Sequence, residues 1–168
     1  MDTSANEARK RKIVIAIDGS KTAEHAFKWY VETIHEKGDF VIALYTPEFK
    51  NLTHISCMAS HMSIMTADPA LMTNLIEEEQ KHTRKLIAEI QELMKQADVE
   101  GTVKSMIGMP GDQIVKVAEE EGAAFIITGS RGLGTLRRTF LGSVSDFIVH
   151  HATVPVFVCK PETQGDMT

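Results

Sequence analysis

The sequence predicts an α/β fold: a five-stranded parallel open sheet with helices on both faces. Three observations predict it. Short, continuous apolar runs recur along the chain, as strands buried on both faces require. Amphipathic helical stripes separate them, and this alternation calls for parallel strands joined by crossovers. Glycine-bearing turns follow the first and fourth runs, at the strand ends where ligands of open α/β sheets bind.

The elements follow in order. Residues 12–17 are rich in Ile and Val, and Asp18-Gly19-Ser20 makes the turn. Ala23, Ala26, Phe27, Tyr30, Val31 and Ile34 then form one helical stripe, which Gly38 ends. Residues 40–45 are the second strand, stopped at Thr46-Pro47 because proline has no N–H for the ladder. Residues 48–69 show neither period and carry His54, Cys57, Met58, His61, Met62 and Met65. A connection that long is ordinarily functional or mobile. Asp68-Pro69 opens a helix that runs to about Ala97, with Leu75, Leu86, Ile90, Leu93 and Ala97 inward and a polar first half projecting past the sheet. Residues 102–107 are the third strand. Gly108 to Gly111 turn into a helix bearing Ile114, Val115 and Ala118, closed by Gly122 as a left-handed cap. Residues 123–128 are the fourth strand and 142–151 a helix with Val144, Phe147, Ile148 and His151 on one face. Residues 153–159 are the last strand.

With 168 residues the chain suffices for one domain, expected over residues 12–160 between a disordered lead (1–11) and a flexible tail (161–168). A net charge of -5 argues against nucleic acid or an anionic membrane surface as partner. No apolar run reaches the roughly 20 residues that span a bilayer. The polar start, with Arg9 to Lys12, lacks a secretory apolar core. Cys57 and Cys159, in unlike contexts, fit free thiols in a reducing compartment, so the cytoplasm is expected.

Between the fourth strand and the following helix lie Gly129, Gly132, nine further residues, then Gly142-Ser143. Glycines let backbone N–H groups approach an anion, and a helix N-terminus adds unpaired donors and a positive dipole end. The P-loop pattern G-x-x-x-x-G-K-[ST] and the dinucleotide pattern G-x-G-x-x-G are both absent. If strands one and four are neighbours where the winding reverses, Asp18 and the glycine loop flank one crevice. Asp18 is read either as a nucleotide and metal contact or as the cap of the first helix. Arg131 suits phosphate recognition, more than Arg137 and Arg138 do, yet loop arginines are mostly solvated. His54, Cys57 and His61 do not make a closed zinc site. His150-His151 offsets a helix dipole. No nucleophile elbow, paired carboxylates or activated serine emerges.

On the motif G-x2-G-x9-G-[ST] at Gly129, Gly132 and Gly142-Ser143, with the strand 13–18 ending in Asp18 and the closing run 154–158, the chain resembles the ATP-binding branch of the universal stress protein (UspA) family. The resemblance spans about residues 11–160. It implies a Rossmann-like, adenine nucleotide α-hydrolase-like fold that binds ATP, with Mg²⁺ carried by the nucleotide. Asp18 would lie near the ribose and the metal-bound phosphates, the backbone of Ala16 and Ile17 beside adenine, and Thr46 at the base edge. Thr128 and Gly129 would lie against the ribose, with Gly132, Gly142, Ser143, Val144 and Ser145 around the phosphates and Arg131 as a further contact. Such proteins pair their last strands antiparallel in homodimers, which here means residues 153–159. The implied function is a nucleotide-dependent stress-response module with slow or no ATP hydrolysis. The alternatives are an adenine-nucleotide-hydrolysing enzyme of the same fold and a nucleotide-independent interaction protein.

Overall fold

A computed structural model of the chain describes residues 10–47, 69–130 and 141–160. Its elements are β1 (Lys12–Ile17), α1 (Lys21–Thr33), β2 (Phe40–Tyr45), α2 (Pro69–Gln96), β3 (Gly101–Ser105), α3 (Pro110–Glu121), β4 (Phe125–Gly129), α4 (Ser143–His151) and β5 (Val156–Cys159). The strands form one sheet in the order β3-β2-β1-β4-β5, with every pairing parallel. The winding reverses between β1 and β4, where Ile13, Val14 and Ile15 pair with Phe125, Ile126 and Ile127. The turns after β1 and β4 therefore lie side by side, which meets the condition that the sequence left open.

Strand periodicity divides the core in two. Ile13 and Ile15 face α1 and α2, packing with Phe27, Tyr30, Leu86, Ile90 and Met94. Val14 and Ala16 face α3 and α4, packing with Ile114, Val117, Ala118 and Ile148. Each fully buried Ile or Leu contributes roughly 1.5–3 kcal/mol over its exposed state.

β1, β2 and the start of α2 at Pro69 agree with the sequence reading. Along α2, Leu86 and Ile90 are buried and Leu93 and Ala97 half-buried, while the Leu75 side chain is outside the described residues. Met94 and Val99 join the core unexpectedly. β4 begins two residues later than expected because Ala123 belongs to the cap of α3. Gly122 sits at φ 61, ψ 47, and the Ala123 amide donates to the Ala118 carbonyl at 2.8 Å. β3 lies at residues 101–105 instead of 102–107. The Met106 amide still donates to the Tyr45 carbonyl at 2.9 Å, and beyond it Ile107 turns out to solvent. β5 is shorter than the expected 153–159. Pro155 has no N–H to give, and pairing starts with its carbonyl, which accepts from the Ile126 amide at 2.9 Å.

The amino-terminal end of the sheet is tied shut. Asp39, 2% exposed, accepts from Arg11 Nε at 2.7 Å and Arg11 Nη2 at 2.8 Å, from the Tyr30 hydroxyl at 2.8 Å and from the Glu36 amide at 3.0 Å. Burial alone pushes the Asp39 carboxyl up. The Arg11 hydrogen bonds, the Glu36 amide and the Tyr30 hydroxyl outweigh it and hold the group at about 2. Burial, followed by the Asp39 hydrogen bond, pushes the Tyr30 phenol far up. Nearby, Glu121 is bridged by Lys104 and by Lys12, the latter at 2.7 Å, and these pairs hold its carboxyl at about 2.

Candidate functional site

At the carboxyl end of the sheet the polar groups are arranged differently. β1 stops at Ile17, and Gly19 takes a positive φ of 79° that turns the chain into α1. Asp18 is exposed, and its Oδ1 accepts from the Ser20 amide at 2.9 Å. Ser20 is the helix cap: its hydroxyl accepts from the Ala23 amide at 3.2 Å. The capping alternative for Asp18 is thereby corrected, because the shorter path from Ser20 to the third amide satisfies the helix. The other Asp18 oxygen has no partner among the described residues.

Ala16 is buried and Ile17 half-buried, in register with Leu44 and Tyr45 of β2. Thr46 follows Tyr45. It is 7% exposed, and its Oγ1 is a buried polar atom with no hydrogen-bond partner among the described residues. Burying a hydroxyl unpaired costs on the order of 1–3 kcal/mol, so such groups are rare in native cores and mark a site for a missing partner.

Thr128 is buried at the end of β4, and Gly129 closes the strand. A Cβ on Gly129 would stand 2.9 Å from Thr22 Cγ2 and 3.2 Å from the Thr22 carbonyl carbon and oxygen. Glycine is required here by the close approach of the first turn of α1. This packing reason adds to the anion argument from sequence. Ser130, which the sequence reading did not single out, is the junction of the site. Its amide donates to the Cys159 carbonyl at 2.7 Å, and its carbonyl accepts from the Gly142 amide at 2.7 Å. Ser145 is 2% exposed and donates its hydroxyl to the Gly142 carbonyl at 2.9 Å. Main-chain atoms do most of this, so residue type carried little signal.

These bonds hold the amino end of α4 beside the end of β4. Gly142 is its N-cap and, lacking a side chain, leaves the first-turn amides without a side-chain acceptor. Ser143 is exposed there and Val144 half-buried. The positive end of the dipole and these donors suit an anion. At the other end of α4, His150 and His151 each place Nδ1 2.8 Å from a carbonyl one turn back, Asp146 and Phe147 respectively.

The structure thus brings Ala16, Ile17, Asp18, Thr46, Thr128, Gly129, Gly142, Ser143, Val144 and Ser145 to the carboxyl ends of β1, β2 and β4 and the start of α4. Arg131, Gly132, Arg137 and Arg138 lie outside the described residues, as do the 48–68 connection with its His, Cys and Met residues, the 1–9 lead and the 161–168 tail. Among the described residues no group of three His, Cys, Asp or Glu side chains could hold a metal ion. No helix among them is long and apolar enough to cross a membrane. Burial pushes the Cys159 thiol up, away from a nucleophilic thiolate.

Comparison with known proteins gives consistent results. The model of the Universal stress protein family matches residues 10–160. Universal stress protein MJ0577 of Methanocaldococcus jannaschii is 30% identical over 159 residues, covering 89% of this chain and 94% of that protein. The solved structure of MJ0577 superposes with a TM-score of 0.69 at 26% identity, over 92% of this chain and 99% of the other. An Arabidopsis thaliana family member solved with AMP bound has a TM-score of 0.64 at 21% identity, over 91% and 93% of the two chains. The Archaeoglobus fulgidus protein in complex with dAMP gives 0.61 at 19%, over 89% and 98%.

Proposed function

This chain belongs to the universal stress protein family, and we propose that within it the chain is an ATP-binding, nucleotide-dependent stress-response module of the cytoplasm. The observation that carries the reading is the buried Thr46 hydroxyl, without a partner among the described residues, at the same end of the sheet as the amino end of α4, which has no side-chain cap. One is a hydrogen-bonding group in want of a base edge, the other a cradle in want of phosphate. Solved relatives with AMP and dAMP bound support an adenine nucleotide as the occupant.

In this reading the backbone of Ala16 and Ile17 and the Thr46 hydroxyl border adenine, and Thr128 and Gly129 meet the ribose. Gly132, Gly142, Ser143, Val144 and Ser145 surround the phosphates with Arg131. Asp18 meets Mg²⁺ that arrives with ATP. A single carboxylate suits a hydrated cation whose remaining ligands are phosphate and water. Among the described residues no positioned base accompanies these groups, and hydrolysis in this reading proceeds well below about 1 s⁻¹, the low end of ordinary enzymes. Two copies pair through β5, which lies at one edge of the sheet.

The direct test is to heat-denature purified protein and identify the released nucleotide. Copurified ATP supports the reading. AMP or another turnover product supports the adenine-nucleotide-cleaving alternative, and no nucleotide supports a nucleotide-independent interaction protein. Calorimetry then checks the loop: Gly132→Val abolishes ATP binding, and unchanged affinity in that variant refutes the phosphate assignment. The dimer is checked by light scattering of Val158→Lys, since Val158 packs in neither core whereas Val156 joins the α3/α4 side. A wild type already monomeric at micromolar concentration, or a variant that remains dimeric, rules that interface out.

A further inference from the structure

The two strands at the switch point part before they end. β1 stays in register with β2 as far as Ile17 and Tyr45, but with β4 only as far as Ile15 and Ile127. Ala16 and Ile17 on one strand and Thr128 and Gly129 on the other therefore lie past the last pair that joins them. Ligands of open α/β sheets bind at this place, so the separation of the two strand ends matters to binding.

A contact from the crossover sets that separation. Thr22, the second residue of α1, is half-buried and packs on Gly129. A Cβ on Gly129 would stand 2.9 Å from Thr22 Cγ2, closer than a side-chain carbon tolerates. Gly129 has no positive φ, so glycine is kept there by this approach and not by a dihedral that favours glycine. Thr22 is also tied to the end of β1. Asp18 Oδ1 accepts from the Ser20 amide at 2.9 Å, the Ser20 hydroxyl from the Ala23 amide at 3.2 Å, and the Ser20 carbonyl from the Glu24 amide at 3.0 Å. On the far side Gly129 pairs with Cys159, and the Ser130 amide donates to the Cys159 carbonyl at 2.7 Å. The Asp18 turn and the end of β4 are each held by their own bonds, and Thr22 is where one meets the other.

We infer that Thr22 is a positioning residue for this site: its methyl group, seated on Gly129, sets how far the Asp18 turn stands from the end of β4. This rests on the adenine-nucleotide reading above and names the residue that fixes the width of the crevice. Thr22 acts through Gly129 and Asp18 and does not itself touch the nucleotide. A β-branched side chain suits the task, because two heavy atoms on Cβ restrict χ1 and hold the methyl in place. A site whose walls are loosened or wedged apart loses affinity while keeping every ligating group.

The test is calorimetric titration of AMP and ATP into wild type, Thr22→Val, Thr22→Ser, Gly129→Ala and the double variant Thr22→Ser with Gly129→Ala. Gly129→Ala drives a Cβ into Thr22 and weakens both nucleotides about tenfold or more. Thr22→Ser removes the methyl and alone weakens both about threefold; in the double variant it restores at least about threefold of what Gly129→Ala lost. Thr22→Val keeps a methyl against Gly129 and binds within about twofold of wild type. A residue that serves only packing gives the opposite pattern, because two destabilising changes add and the double variant binds worse than either single one. That pattern, or equal affinities in Thr22→Ser and Thr22→Val, overturns the Thr22 assignment alone. If Gly129→Ala does not fold, the comparison of Thr22→Ser with Thr22→Val decides by the same criterion. A wild type that binds neither nucleotide overturns the adenine-nucleotide reading together with this one.

Discussion

The two ends of the sheet handle buried polarity in opposite ways. At the amino end, Asp39 is as buried as any core residue, yet each of its oxygens is bonded, to Arg11 on one side and to Arg11, Tyr30 and the Glu36 amide on the other. At the carboxyl end, Thr46 is enclosed with nothing among the described residues bonded to its hydroxyl, Asp18 faces solvent, and α4 begins without a side-chain cap. Internal satisfaction is what stability demands. Groups left open on one end only, at the switch point of the sheet, are what binding demands. The contrast sets satisfied polarity at one end against open polarity at the other.

The largest effect that can break this contrast is at Asp39. Asp39→Ala removes the acceptor that Arg11 and Tyr30 share, leaving Arg11 only the Ile34 carbonyl and Glu36, and destabilises by about 3 kcal/mol, the usual result of removing one partner of a buried pair. Urea unfolding measures it, and nucleotide affinity stays within twofold below the unfolding transition. A loss of affinity with no loss of stability would place Asp39 on the functional side.

Acid tests the same group next. Its folded carboxyl, at about 2, lies below the ordinary value of 3.8, so the folded state binds its proton less readily than the unfolded chain does. The associated stability, about 2 kcal/mol, is fully present above pH 3.8 and lost as pH falls towards 2. Glu121 contributes in the same direction between 4.5 and about 2. Unfolding midpoints measured from pH 5 to pH 2 therefore fall more steeply in wild type than in Asp39→Asn.

At the other end the signs divide. Thr46→Val removes an unpaired hydroxyl and raises the stability of the nucleotide-free protein by about 1 kcal/mol. The same change weakens adenine-nucleotide binding about tenfold, or about 1.4 kcal/mol. Thermal shift and calorimetry on one preparation read both, and a variant that loses stability places Thr46 with the core. The smallest effect is at Ser20, where Ser20→Ala removes the cap of α1 and costs about 1 kcal/mol at most, with no proton dependence.

Much of this contrast is present in the sequence, unevenly. β1 and β2 were legible because continuous apolar runs bounded by Asp18 and by Thr46-Pro47 leave one interpretation. The two ends of β5 were not equally clear. Thr153 and Val154 have strand-forming side chains, but the exit of α4 governs their backbone and Pro155 delays the pairing. The site glycines 129 and 142 stood out, and Thr46 came from the family resemblance. The amino-end network did not appear, because Arg11 and Asp39 lie 28 residues apart and only the turn after α1 joins them. Ser130 was invisible for a different reason, since its contribution is main-chain and any residue type supplies it.

The bonding of Ser130 has a consequence for how such a protein diversifies. Its amide fastens the end of β4 to β5, and its carbonyl receives the amide at which α4 starts. Both bonds are main-chain, so the junction of two strands and a helix does not depend on the hydroxyl that position 130 carries. Exchange of Ser130 for another small residue can therefore alter what faces the end of the sheet while β4, β5 and the start of α4 keep their places.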